Sequence, residues 1–344
     1  MSAPRFGVWA PVYGNHGARH HPDDAPDASY RRTRDLILRA ERAGFDATLV
    51  AQHVVHPSAV EDDVLKTWST LAALAEATSR IELIGAVKPL LFNPLVFAKL
   101  AGNISAIADG RLSINVVSGW FLPELKALGV DVLDHDDRYA HTRQWLDTVT
   151  GLWAGKPVAI GAGDGQPAIV RPVPGAVPPV YVGGESEPGR ALAAETADVF
   201  FINGRPLAET AAVIEDLRAR RKSLGSGVAL RFGLSAFVIT RDTEAEALAE
   251  LEHLQALVDA EKRPEISGGT DPKTQMYKVL ADTSRVGSNG GTLAGLVGSH
   301  DQVAERIAAF HDAGIELFML QFQPLEAELD RFAAHIIPRF RDSH

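Results

Sequence analysis

The segment Ile81–Val117, IELIGAVKPLLFNPLVFAKLAGNISAIADGRLSINVV, contains one complete strand–helix–strand repeat. Short apolar runs at its two ends predict buried strands at Ile81–Val87 and Leu112–Val117. Between them, a helical pattern runs over Pro94–Ala108, begins with proline and stops at an Asp-Gly pair. Two strands joined by a helical crossover lie parallel in one sheet, so the segment predicts an α/β protein.

The same alternation extends along the whole chain of 344 residues. Strands are predicted at Phe6–Pro11, Asp46–Ala51, Ile81–Val87, Leu112–Val117, Val180–Val182, Asp198–Ile202, Leu230–Ile239 and Ile315–Gln321. Eight strand–helix units predict a single domain over residues 1–344, a (β/α)8 TIM barrel with insertions at about 155–179 and 262–298. The alternative is a doubly wound open sheet, although the G-x-G-x-x-G dinucleotide fingerprint is absent after the first strand.

Composition excludes several classes of protein. The chain has no cysteine, which excludes disulfides, thiolate metal sites and a thiol nucleophile. Its net charge of −10 argues against a nucleic-acid partner. No apolar run is long enough to span a membrane, so we expect a cytoplasmic protein that acts on small molecules. Histidines 16, 20 and 21 lack a metal-binding motif such as H-E-x-x-H, and no metal is predicted.

Active sites of such barrels lie at the carboxyl ends of the strands. Candidate residues there are Trp9, Tyr13, His16, His53, Lys88, Trp120, Phe237 and Gln321. Aromatic and polar side chains with few carboxylates suit a flat, partly apolar guest such as a flavin. A lysine in such a pocket needs an anionic partner or a changed pKa, so Lys88 is a candidate for binding substrate or flavin.

The turn Gly183-Gly184-Glu185-Ser186 joins the fifth strand to a helix. Backbone N–H groups and a hydroxyl meet there at a helix N-terminus, which predicts an anion site suited to phosphate. The alternative is that the glycines only serve tight turn geometry. Hydrolase and kinase motifs are missing, which indicates that a cofactor carries the chemistry.

Seven segments resemble the bacterial-luciferase-like FMN-dependent monooxygenases, in the branch of the alkanesulfonate and dimethyl sulfone monooxygenases. They are Arg39–Gln52, Ala86–Pro94, Asp109–Phe121, His135–Tyr139, Val180–Ser186, Arg231–Asp242 and Leu296–Ile307, in the order of the family. The resemblance implies reduced FMN, delivered by a separate NAD(P)H-dependent flavin reductase, and O2 as co-substrate. For a sulfonate, the carbon–sulfur bond breaks and releases sulfite and an aldehyde. A homodimer or homotetramer is expected.

The resemblance also assigns residues. The flavin phosphate falls to Tyr139, Gly183, Gly184 and Ser186, and the flavin ring to Ala86, Asn115 and Ser118. The expected catalytic residues are Lys88, His53, Trp120 and Arg285, the last carried by the second insertion, which the family uses as a lid. Substrate contacts are expected from Trp9, Tyr13, His16, Phe237 and Gln321.

One departure bears on the substrate. Ser235 and Phe237 stand where the alkanesulfonate enzymes carry arginine and histidine. The leading hypothesis is cleavage of an organosulfonate, including a sugar or other polar sulfonate. The alternatives are a dialkyl sulfone monooxygenase, a monooxygenase of the same fold acting on another small molecule, and a non-enzymatic flavin- or F420-binding barrel.

Overall fold

The computed structural model describes residues 2–24, 26–57, 61–119, 121–131, 133–159, 167–172, 174–261 and 286–341. The strands are β1 (Arg5–Trp9), β2 (Ala47–Val50), β3 (Glu82–Val87), β4 (Leu112–Val116), β5 (Val180–Val182), β6 (Val199–Ile202), β7 (Arg231–Phe237), β8 (Ile239–Arg241), β9 (Val297–Ser299) and β10 (Ile315–Gln321). Eight of them close a parallel barrel in the order β1-β10-β7-β6-β5-β4-β3-β2. This confirms the TIM barrel and excludes the open sheet.

The helices surround the barrel. They are α1 (Tyr30–Arg42), α2 (Thr67–Ala77), α3 (Pro94–Ile107), α4 (Leu122–Ala127), α5 (His135–Trp153), α6 (Glu187–Thr196), α7 (Leu207–Ser223), α8 (Glu244–Ala260), α9 (His300–Ala313) and α10 (Leu325–His335). Every residue of β2, β4, β5 and β6 is buried, because the helices cover the outside and side chains fill the inside. None of the helices described is both long enough and apolar enough to span a bilayer.

The predicted seventh strand is two strands. β7 ends at Phe237 in the barrel, whereas β8 pairs in parallel with β9 in a separate two-stranded sheet. The change occurs at Val238, whose N–H donates to the carbonyl of Gln321, while Ile239 donates to Leu296. The apolar run Leu230–Ile239 is continuous in sequence, but its last residues pair with a different strand from the rest. Residue type alone does not reveal such a change of strand partner.

The two predicted insertions are described in part. In the first, Val158 and Ala168 form one antiparallel bridge. In the second, residues 262–285 lie outside the described ranges, and a 3-10 helix at Gly291–Ala294 precedes β9. The short helix α4, which follows β4, was not predicted at all.

Candidate functional site

A cavity of about 830 Å³ opens at the carboxyl ends of the barrel strands, which is within the range of cofactor and ligand sites. The predicted flavin residues Ala86, Asn115, Ser118, Tyr139, Gly183, Gly184 and Ser186 line it. So do Trp9, Tyr13, His16, His53 and Lys88 from the predicted catalytic and substrate sets. Trp120 and Arg285 lie outside the residues that the structure describes.

Phe237 and Gln321 are not among the described residues that line the cavity, and their assignment to substrate contact stays a prediction. The Gln321 side chain is fully buried; its Oε1 accepts from Ser288 N at 2.8 Å and its Nε2 donates to Ser288 Oγ at 2.9 Å. A Cβ on Gly287 would lie 2.8 Å from the Phe237 ring. Both side chains therefore support the 287–289 segment from behind, and that segment faces the cavity instead.

One end of the cavity is formed by the turn between β5 and α6. A Cβ on Gly184 would lie 2.6 Å from Tyr139 Oη, and one on Gly189 would lie 2.3 Å from the carbonyl oxygen of Gly184. Glycine is therefore required for helix α6 and Tyr139 to approach the turn so closely. Ser186 precedes α6 with extended backbone, but its hydroxyl makes no capping bond and its buried Oγ has no hydrogen-bond partner.

This end of the cavity fits a phosphate. The N–H groups that begin α6 and the unbonded Ser186 hydroxyl offer donors at the positive end of a helix dipole. The carboxylate of Glu185 is held by other groups, since its Oε1 accepts from Asn203 N at 2.8 Å and its Oε2 contacts Arg205. Its charge is thus compensated on the β6 side of the turn.

The barrel floor next to this turn fits a flat ring. Ala86 and Asn115 are neighbours in the register of β3 and β4, and both face the cavity. Asn115 Oδ1 is buried without a hydrogen-bond partner, and a Cβ on Gly183 would lie 3.6 Å from it. Across the barrel, the rings of Trp9 and Phe201 meet edge to face at 6.3 Å. The barrel floor thus combines the apolar surfaces of Ala86, Trp9 and Phe201 with one hydrogen-bond acceptor, Asn115 Oδ1, that has no partner in the protein.

Aromatic and histidine rings line the opposite end. Tyr13 meets the rings of His16, His53 and His56 edge to face at centroid distances of 5.1, 5.8 and 5.9 Å. Tyr13 Oη and His16 Nδ1 lie 3.0 Å apart and share a hydrogen bond. Burial lowers the pKa of His16 to about 4 and raises the pKa of Tyr13, so both side chains are neutral at pH 7.

Lys88, at the end of β3, contacts the carboxylate of Glu124 on α4, and both side chains are almost fully buried. Burial lowers the pKa of Lys88, against the attraction of Glu124. Burial also opposes ionisation of Glu124, but the nearby His53 ring, the charge of Lys88 and the hydrogen bond from Val54 N outweigh it and hold the Glu124 pKa at about 2. We therefore describe Lys88 and Glu124 as a buried ion pair. The anionic partner that the sequence demanded for Lys88 is a side chain of this chain.

Two residues of this region were not singled out from the sequence. Glu124 was missed with its helix, although proline near the start of Leu122–Ala127 is a helix-start signal. Gln52 lines the cavity, and its Oε1 accepts from Lys88 N at 3.0 Å. Its Nε2 is buried without a partner, so Gln52 offers the cavity a neutral donor.

Known proteins share both this sequence pattern and this fold. The family model for luciferase-like monooxygenases matches residues 5–317. An FMNH2-dependent dimethylsulfone monooxygenase of Pseudomonas putida is 28% identical over 354 residues, covering 99% of this chain and 97% of the relative. A protein of the same name from Pseudomonas fluorescens (strain Pf0-1) is 29% identical, covering 99% and 96%.

Among solved structures, EDTA monooxygenase from Chelativorans sp. BNC1 has a TM-score of 0.79 and 18% identity, covering 98% of this chain and 93% of that one. This likeness concerns the fold. The family match extends over most of the chain and agrees with the resemblance seen in the sequence. The chain therefore belongs to the luciferase-like monooxygenases, a family of oxidoreductases.

Proposed function

We propose that this monooxygenase uses reduced FMN and O2 to oxidise a small neutral sulfone of the dimethyl sulfone type. The observation that carries the choice of substrate is the contact between Lys88 and Glu124, which leaves no net charge in that part of the cavity wall. The two relatives named as dimethylsulfone monooxygenases support the same choice. The organosulfonate hypothesis, which led at the level of sequence, is the weaker of the two.

The cavity residues fit FMN. Gly183, Gly184, Ser186 and Tyr139 would hold the phosphate, because the turn offers backbone donors and an unbonded hydroxyl. The ring would lie over Ala86 and Asn115 on the barrel floor. When bound in its reduced form, the flavin supplies the two electrons with which O2 is activated. A separate flavin reductase is the proposed source of these electrons, and the whole chain is proposed to form one catalytic domain.

The charges around the other end argue against an anionic substrate. Among the described residues, the cationic side chains that line the cavity are Arg19, Lys88 and Arg138. Arg19 contacts Asp62, and Lys88 contacts Glu124. Arg138 precedes Tyr139 on α5, and Tyr139 lies against the β5–α6 turn, where we propose that the phosphate binds. His16 is neutral at pH 7 because burial holds its pKa at about 4. Beside Lys88, a sulfonate would therefore lose its hydration without gaining an uncompensated cation as partner.

A sulfone meets different groups there. Its two oxygens accept hydrogen bonds but carry no net charge, and Gln52 Nε2 and Trp9 Nε1 are buried cavity donors without partners. Insertion of one oxygen atom into a methyl C–H bond would give a hydroxymethyl sulfone, which collapses to formaldehyde and methanesulfinate. The second oxygen atom leaves as water.

Product analysis tests this proposal. The purified protein, a flavin reductase, NAD(P)H, FMN and O2 should convert dimethyl sulfone to equal amounts of formaldehyde and methanesulfinate. Methanesulfonate in its place should give little sulfite. Abundant sulfite from methanesulfonate would restore the organosulfonate hypothesis. Failure to oxidise either compound would favour a same-fold monooxygenase of another small molecule.

A further inference from the structure

Glu124 has an unusual position relative to the cavity. Its side chain is completely buried and does not line the cavity, whereas its partner Lys88 does. The helix that carries Glu124, α4, directly follows the strand end that bears Ser118, so the barrel rim brings the carboxylate behind the lysine. The charge on Lys88 is therefore compensated from behind the wall and not by a ligand.

The carboxylate is fixed by more than the lysine. Glu124 Oε1 accepts from Val54 N at 2.6 Å, and His53 Nδ1 lies 3.7 Å from the same oxygen. Lys66, the residue before α2, also feels the charge of Glu124, but it does not line the cavity. These contacts keep an ionised carboxylate in place even though burial opposes it.

We infer that Glu124 determines specificity: by pairing with Lys88 it makes the cavity accept a neutral sulfone and reject an anionic sulfonate of nearly the same size. This inference rests on the proposed function. Dimethyl sulfone and methanesulfonate differ only in that a methyl group replaces a negatively charged oxygen. The shape of the cavity alone would discriminate poorly between the two compounds, so the discrimination must come from the net charge of the cavity wall.

The inference predicts that one isosteric change creates an anion site. Glu124→Gln keeps the acceptor for Val54 N but removes the counter-charge of Lys88. Methanesulfonate should then bind at least about tenfold more tightly than to the wild-type protein, because Lys88 is left as an uncompensated cation at the cavity wall. Binding is measured by calorimetric titration of the flavin-free protein and as inhibition of dimethyl sulfone oxidation.

The matched control removes both charges. Lys88→Met/Glu124→Gln lacks the cation as well, so its affinity for methanesulfonate should stay at the wild-type level. A folded Glu124→Gln protein with wild-type affinity would overturn the inference, as would equal gains in the single and double variants. If the glutamine variant does not fold, Glu124→Ser leaves room for water beside Lys88 and tests the same expectation.

The wild-type protein alone also provides a test of the inference. Methanesulfonate should bind it far more weakly than dimethyl sulfone does, and equal binding would overturn the inference. The two claims fail separately. If the wild type oxidises no sulfone but Glu124→Gln still gains affinity for methanesulfonate, the proposed function fails and the role of Glu124 stands. If the wild type oxidises sulfone and the variant gains nothing, the reverse holds.

Discussion

The two ends of the cavity treat charge in opposite ways. At the β5–α6 turn, the buried Ser186 hydroxyl has no hydrogen-bond partner, and the carboxylate of Glu185 is held by Asn203 and Arg205. At the β3–α4 side, Lys88 is already paired with Glu124. The first end offers hydrogen-bond donors that an anion can use. At the second end, the positive charge of Lys88 is already neutralised by Glu124. The contrast supports the proposal that the phosphate binds at the first end and a neutral substrate at the second.

The largest expected effect comes from breaking the ion pair. Lys88→Ala leaves the Glu124 carboxylate buried without its cation and should lower the free energy of unfolding by about 3–5 kcal/mol. Lys126→Ala on the same helix is the matched control, since that side chain is exposed, and it should change stability by less than about 0.5 kcal/mol. Urea unfolding measures both. Equal and small effects would show that the pair is not coupled as described.

The next largest effect is expected from a substitution in the β5–α6 turn, the end of the cavity where phosphate is proposed to bind. Gly184→Asp adds a Cβ that would lie 2.6 Å from Tyr139 Oη and a negative charge where phosphate is proposed to bind. Affinity for FMNH2 should fall about 100-fold, which corresponds to about 2.8 kcal/mol. Anaerobic titration of tryptophan fluorescence measures it. Gly227→Asp is the control, because no atom lies within 4 Å of its Cβ position. An unchanged affinity in folded Gly184→Asp would remove the phosphate from this turn.

A third effect depends on pH. Burial lowers the pKa of His16 to about 4 from an unfolded value near 6.5. Between these values the unfolded chain binds a proton that the folded chain does not, so stability falls as the pH drops below about 6.5 and levels off below about 4. Between pH 7.5 and 5, the loss from this residue should be about 2 kcal/mol. His16→Gln should lack that part of the loss in urea unfolding, and identical pH profiles would contradict the burial of His16.

The smallest expected effects come from serines at the starts of two helices, one of which should affect FMNH2 binding and the other protein stability. Ser186 makes no capping bond, so Ser186→Ala should weaken FMNH2 binding by about 1 kcal/mol and leave stability nearly unchanged. Ser299 forms a capping box with Gln302 at the start of α9. Ser299→Ala should therefore lower stability by about 1 kcal/mol and leave FMNH2 binding as it was. A stability loss in Ser186→Ala would mean that its hydroxyl caps α6.

The barrel and the position of its glycine turn at the cavity could be predicted because their signals are local. Hydrophobic period and helix-start residues predicted the eight barrel strands to within a few residues, although the last residues predicted for the seventh strand belong to a separate sheet. Gly183 and Gly184 stand next to one another in a strand–helix turn, and the structure places both at the cavity. The predicted homo-oligomer and cytoplasmic location stay predictions.

The opposite end could not be predicted, because its contacts join distant parts of the chain. The need of Lys88 for a partner was visible, but Glu124 lies 36 residues away on a helix too short for a periodic signal. Gln321 has a polar side chain at a strand end, which suggested contact with substrate. Its hydrogen bonds go instead to Ser288, 33 residues earlier, and residue type does not reveal this.

The most direct test of the central claim, that the cavity takes a neutral sulfone, is a competition in one reaction. Equal concentrations of dimethyl sulfone and methanesulfonate compete for the wild-type enzyme, and methanesulfinate and sulfite are measured together. The ratio of the two products gives the ratio of the kcat/KM values. We expect methanesulfinate to exceed sulfite by about 100-fold, equivalent to about 2.8 kcal/mol. Equal amounts of the two products, or an excess of sulfite, would contradict the account.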